Sequence, residues 1–222
     1  TAVGRDALRT TTTGQENTAV GHNCLYNNTA HENTAVGYRA MITNTSGSGT
    51  AIGTMALANQ TSGTENTAVG YSTLKATTTG THNTGIGHNV LYSNTTGVQN
   101  LAGGEKALYN NTTGGKNVGL GVLALYETTT GGYNTAVGYN AIKDNTTGIQ
   151  NTAVGNLALQ NNTTGSYSTA VGNECLEENT TGRNVAVGHR ALRNVTTGTN
   201  NTGLGDHALN ATTGSYNTAV GH

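Results

Sequence analysis

The sequence predicts an all-β protein: a parallel β-solenoid, or β-roll, of 16–17-residue coils. Three observations predict it. The stretch NTAVGYNAIKDNTTGIQ at 134–150 returns as NTAVGNLALQNNTTGSY at 151–167, and in worn form along the whole chain. Self-similarity at a fixed short period marks a stacked repeat architecture. Large apolar residues keep two fixed registers within the repeat. The chain has 33 Gly, no Pro, no Trp and no Phe, and only 9% charged residues, against about 25% in ordinary soluble domains.

The period is counted from the glycine of the AVG motif, taken as position zero. This glycine recurs at Gly4, Gly21, Gly37, Gly53, Gly70 and onward to Gly205 and Gly221. Most intervals are of one length, and the few exceptions are a single position shorter. No linker interrupts them. Residues 1–222 are therefore expected to be one uninterrupted array of about 13 coils, cut from a longer fibre. One apolar ladder precedes the glycine and includes Val20, Val36, Val69, Val137, Val154 and Val171. A second lies four positions after it and includes Leu25, Leu57, Leu91, Leu125, Ile142 and Leu159. Both are expected to fill the core. Alternation along a strand then turns the neighbouring Ala19, Ala68, Ala136 and Ala153 outward, where they are expected to meet another chain.

An α-helical solenoid is excluded by length, because so short a unit cannot hold a helix pair and its loops. Each coil is expected to contain two short strands and two turns, stacked in parallel about 4.8 Å apart, which makes a rod of roughly 60 Å. Glycines of the TTG turns, among them Gly80, Gly97, Gly114 and Gly148, are expected to supply positive φ. Two large apolar side chains per coil make a thin core, worth only a few kcal/mol at about 1.5–3 kcal/mol each. Ordering the backbone costs about 1–2 kcal/mol per residue. More apolar burial is needed, and the expectation is a homotrimer.

Polar ladders run beside the apolar ones. Asn83, Asn100, Asn117, Asn134 and Asn151 share position −4, where stacked amides pair from coil to coil and cap the turn. Threonine pairs such as Thr78/Thr79 and Thr146/Thr147 stand beside the turn glycine, where they would order water if the solenoid had an ice-binding face and where they equally suit the turn hydrogen bonds. The NNTT segments create glycosylation acceptor patterns at Asn94, Asn111, Asn145, Asn162 and Asn179, which the repeat also generates by itself. Tyrosines at three registers, for example Tyr139, Tyr126 and Tyr133, form outside patches suited to packing or to stacking on sugars.

Enzyme chemistry has no support: no nucleotide loop, HExxH or nucleophile elbow is present. His22, His88, His189 and His222 share position +1 but are expected in coils too distant to converge. Asp206 over His189 and Arg190 over Glu174 are expected as cross-coil charge pairs. Glu174, Glu177 and Glu178 lack the spaced oxygen ligands of a calcium loop. Cys24 and Cys175 stand in an alanine register, nine intervals apart, and are read as small buried residues rather than a disulfide. No metal, cofactor or catalytic residue is expected. The formal net charge of −1 and the absence of a basic stripe argue against nucleic acid. No apolar run is long enough for a membrane helix.

The segments NTAVGYNAI, NTAVGNLAL and NTAVGYSTL resemble the repeats of YadA-like trimeric autotransporter adhesin heads and of phage tail fibres. The resemblance covers the whole chain, with a period slightly longer than in the classical heads. It implies a left-handed parallel β-roll, a tight homotrimer and an extracellular or virion location. It also implies that Val137 and Ile142 fill the roll while Ala136 and Ala141 lie at close contacts. The expected function is a structural or adhesive fibre segment without catalysis. Its partners would be further copies of itself and a host-surface or glycan receptor. The alternative is an ice-binding or carbohydrate-binding solenoid that uses Thr, Asn or Tyr ladders.

Overall fold

The computed structural model describes residues 1–11 and 13–222. They divide into two compact units, Thr1–Thr113 and Gly114–His222. Each unit is a parallel β-solenoid.

In the first unit, β1 (Ala2–Val3), β2 (Thr18–Val20), β4 (Asn33–Val36), β6 (Gly49–Ile52), β7 (Asn66–Val69), β8 (Thr84–Ile86) and β9 (Leu101–Gly103) pair in that order. In the second, β10 (Val118–Leu120), β11 (Thr135–Val137), β12 (Thr152–Val154), β13 (Thr169–Val171), β14 (Val185–Val187), β15 (Thr202–Leu204) and β16 (Thr218–Val220) do the same. The pairings are parallel and set equivalent repeat positions on one another: Thr135 meets Thr152, Ala136 meets Ala153 and Val137 meets Val154. The shorter coils keep this register, as Thr18↔Thr34 and Ala170↔Ala186 show. Where two short coils follow one another, turn residues form an extra parallel pair, β3 (Asn27–Asn28) with β5 (Thr43–Asn44). The missing residue is taken from the turn because a slip in the strand would exchange its two faces.

The Ala-Leu side of the coil is not a second strand. The ladder leucines have left-handed backbones, with φ of 50° at Leu91, 55° at Leu125, 50° at Ile142 and 53° at Leu159. The residue two positions earlier is left-handed as well, as at Asn89, Leu123, Asn140 and Leu157. Left-handed φ at every second residue breaks the pleat. The segment still bonds coil to coil, Leu91 N–H donating to Ala107 O at 3.0 Å and Leu125 N–H to Ala141 O at 3.0 Å. Such a backbone costs an L-residue about 1–2 kcal/mol. Complete burial of the leucine gains about 1.5–3 kcal/mol, and Leu25, Leu57, Leu91, Leu125, Ile142 and Leu159 are all fully buried. Burial of each leucine offsets the cost of its own left-handed backbone.

The strand faces are the reverse of the sequence expectation. Ala19, Ala68, Ala136 and Ala153 are 0% exposed and form the inner wall, so they are no chain contacts. Val20, Val36 and Val137 are each 36% exposed, Val154 and Val171 similarly so, and Val69 is half-buried; this ladder lies outside the core. The reason is the narrowness of the coil. At Gly203, which stands in the alanine register, an added methyl would already lie 3.0 Å from Leu192 Cγ. Opposite a leucine there is room for Ala or Gly and no more.

The two sets of glycines also exchange roles. Positive φ belongs to the motif glycines, such as Gly138 at +141° and Gly155 at +143°, not to the TTG glycines. The latter are required by close stacking: a Cβ on Gly80 would lie 2.5 Å from Gly97 O, and one on Gly148 would lie 2.3 Å from Gly165 O. No helix is long and apolar enough to cross a membrane among the described residues.

Candidate functional site: a Thr-x-Val face

Because Ala points inward, the strand residues on either side of it point outward. Each Thr-Ala-Val strand thus presents one threonine and one β-branched aliphatic residue. In the first unit the rows are Thr18, Thr34, Thr50, Thr67 and Thr84 beside Val20, Val36, Ile52, Val69 and Ile86. In the second, Thr135, Thr152 and Thr169 stand beside Val137, Val154 and Val171. Parallel pairing in constant register sets neighbours in a row about 4.8 Å apart, and two residues along a strand span about 6.6 Å. Both residue types are stiff at χ1. The hydroxyls of these threonines have no protein partner among the described residues. The face carries no charge in these rows. In the first unit the rows are interrupted at Leu101 and Gly103, and in the second at Val118 and at Val185.

The residues singled out from sequence for ligand contact are occupied elsewhere. In the TTG turns the first threonine hydroxyl donates to the next coil, Thr78 to Thr95 O at 3.2 Å and Thr146 to Thr163 O at 3.0 Å. Those threonines are turn fasteners. The Asn ladder is interior: Asn134 N–H donates to Asn117 Oδ1 at 2.9 Å, and Asn151 N–H to Asn134 Oδ1 at 3.0 Å. Asn83 and Asn100 continue the same pattern of bonds. The amide nitrogen also closes the turn, from Asn83 to Gly97 O and from Asn134 to Gly148 O, both at 2.8 Å. Buried in this way, the ladder offers no atom to a ligand.

A second asparagine ladder emerges only in the folded chain. Asn94, Asn145 and Asn162 donate to the carbonyl three positions on, and all are fully buried, as are Asn111 and Asn179. These are the glycosylation-pattern asparagines, and the fold hides them. Their Asn-x-x-Gly spacing is the signal in the sequence that could have found them.

Other outward rows hold rings and charges. His22 and Tyr38 have ring centroids 5.5 Å apart, and Tyr71 stacks on His88 at 5.3 Å. Lys116 lies over Tyr133, its nitrogen 4.8 Å from the ring centre. Arg190 Nε sits 2.7 Å from Glu174 Oε2, and Arg193 Nε 2.6 Å from Glu177 Oε2. The Arg190 hydrogen bond, opposed by some desolvation, holds the Glu174 carboxyl below its usual range. Asp206 is likewise held low, chiefly by its hydrogen bond with His189 at 2.9 Å. Partly exposed pairs of this kind contribute little to stability. Their arrangement is that of cross-coil fasteners, and no nucleophile is paired with a base among them.

Cys24 and Cys175 are free and buried. Burial pushes their thiols up to about 11 and about 12. They replace Ala in the inner wall and are far from thiolate chemistry at neutral pH. The expectation that the position +1 histidines cannot converge fails for one pair. His189, Asp206 and His222 occupy that register in three successive coils, and both histidines lie within 3.4 Å of the Asp206 carboxylate.

The chain is thus a β-solenoid with stacked Asn and Thr ladders, and its accessible chemistry is a repeated array of hydroxyl and methyl groups. No family model matches it, and neither a curated protein nor a solved structure does.

Proposed function

We propose that this chain is a non-catalytic solenoid that binds ordered water, and thereby ice, through the Thr-x-Val face. The observation that carries the reading is the outward Thr and Val pair repeated in constant register, with hydroxyls unpartnered among the described residues. A crystal surface is itself periodic, so a ligand of that kind rewards a lattice of weak contacts rather than one deep pocket. The methyl groups hold neighbouring water in a cage, and the hydroxyls anchor it. Rigid strands and stiff rotamers lower the ordering cost on binding. Thermal hysteresis and inhibition of ice recrystallisation test this. Thr67→Tyr and Thr152→Tyr should abolish both, with the circular dichroism unchanged, whereas Thr78→Ser in a turn should not. A folded wild-type protein without effect on ice growth overturns the reading.

A second reading uses the same surface for self-association, as a homotrimeric fibre segment at a cell or virion surface. It is favoured by the continuous apolar column Val137, Val154, Val171 and Val187, each more than a third exposed. Contiguous apolar exposure of this sort marks interaction surfaces. The flanking tyrosines, Tyr139, Tyr133 and Tyr167, are half-exposed and would suit a glycan receptor by stacking. Light scattering decides: a particle of three chains, dissociated by Val154→Lys, supports the fibre, and a particle of one chain removes it.

A further inference from the structure

The last coils of the second unit gather imidazoles around one carboxylate. Asp206 Oδ1 lies 2.9 Å from His189 Nδ1 and 4.0 Å from His207 Nε2. Asp206 Oδ2 lies 3.4 Å from His222 Nδ1. The rings of His189 and His207 meet edge to face at 5.3 Å. This convergence is a product of the register. His189 and Asp206 are the residues after the motif glycine in adjacent coils, and His207 follows with a left-handed φ of 55°. No other coil combines an acid at that position with histidines beside and below it.

We propose that His189, Asp206 and His207 form a binding site for a divalent transition-metal ion of the zinc, nickel or copper class. One donor atom from each lies within 4.8 Å of the other two. An ion bound at about 2.0–2.2 Å to nitrogen and oxygen holds its donors roughly 3–3.5 Å apart. The Asp206–His189 distance is already close to that span, and a small rotation of the half-exposed His207 ring closes the rest. Two imidazoles with one carboxylate suit borderline ions and disfavour magnesium or calcium, which take oxygen ligands. Asn210 Nδ2 stands 3.4 Å from His207 Nδ1. With that amide turned over, its oxygen accepts the Nδ1 proton and leaves Nε2 free for the ion. His222 approaches the same carboxylate from the neighbouring coil. The proposal is independent of the ice-binding reading, because the site lies in the row beside the Thr-x-Val face.

The test is calorimetric titration of metal-free protein, without a histidine tag, with zinc chloride at neutral pH. One ion per chain is expected. Affinity should fall at least about tenfold in His189→Gln and in His207→Gln, and stay unchanged in His82→Gln, whose ring belongs to a separate pair with Glu65. The three replaced side chains are partly exposed, and circular dichroism confirms that each variant folds. Absence of saturable binding by the wild type overturns the proposal. So does binding that His189→Gln and His207→Gln leave unaltered.

Discussion

Gly155→Ala measures how tightly the coils are stacked. Gly155 has φ +143°, and an added methyl would lie 2.2 Å from Gly172 O and 2.6 Å from its carbon. Two costs follow. The left-handed backbone strains any L-residue by about 1–3 kcal/mol. The overlap must be relieved by parting the two coils, which stretches the bonds from Gly172 N–H to Val154 O (2.8 Å) and from Glu174 N–H to Asn156 O (2.9 Å). At about 0.5–1.5 kcal/mol each, these raise the total to about 2–6 kcal/mol. Gly221→Ala is the control, since its φ is +127° but nothing lies within 4 Å of the added methyl. It should lose only the strain contribution, so Gly155→Ala should be the worse by about 1–3 kcal/mol. Guanidinium denaturation followed by circular dichroism gives the totals. Amide exchange shows whether the loss is local, as repeat arrays allow. Equal losses in the two variants would refute the stacking account.

Three further outcomes are expected. Asn151→Ala deprives the buried Ser168 N–H of its acceptor and Gly165 O of one of its donors; a loss of about 1–3 kcal/mol in denaturant melts is expected, against about 0.5 kcal/mol or less for the exposed Asn156→Ala. Ile142→Ala, at a fully buried site, should cost about 2–5 kcal/mol, whereas Val137→Ala should cost under about 1 kcal/mol, and similar losses would overturn the inside-outside assignment of the two ladders. The thiols of Cys24 and Cys175 should be silent to Ellman's reagent until denaturant is added. Their folded values of about 11 and about 12 exceed the ordinary thiol value of 9.0, so at alkaline pH the folded state keeps protons that the unfolded state has lost. Stability should therefore fall as pH rises above about 9, and Cys175→Ala should flatten that slope.

The parts of the site differ in how far sequence reveals them. Register alone stacks Asn134 on Asn151, because a fixed period brings identical residues above one another. The same logic pairs Asp206 with His189 and Arg190 with Glu174. It does not say that His207, one position further on, swings to the same side, since that depends on its left-handed φ. Nor does it distinguish the free hydroxyl of Thr67 from the bonded one of Thr78. Both lie in Thr-rich coils, and only their surroundings differ.

Repetition and hydrophobic spacing alone set the period, the parallel stacking, the buried leucine ladder and the absence of a thick core. Those features follow from the order of the residues alone. Which strand face is inner is settled only by packing in three dimensions. Strand alternation puts Ala136 and Val137 on opposite sides but is silent on which side is in. Hydrophobicity favours burying valine, and the width of the coil forbids it. With Leu192 already 3.0 Å from the methyl that Gly203 lacks, only small residues fit opposite the leucines. Volume overrides hydrophobicity, and the valines are left outside beside the threonines.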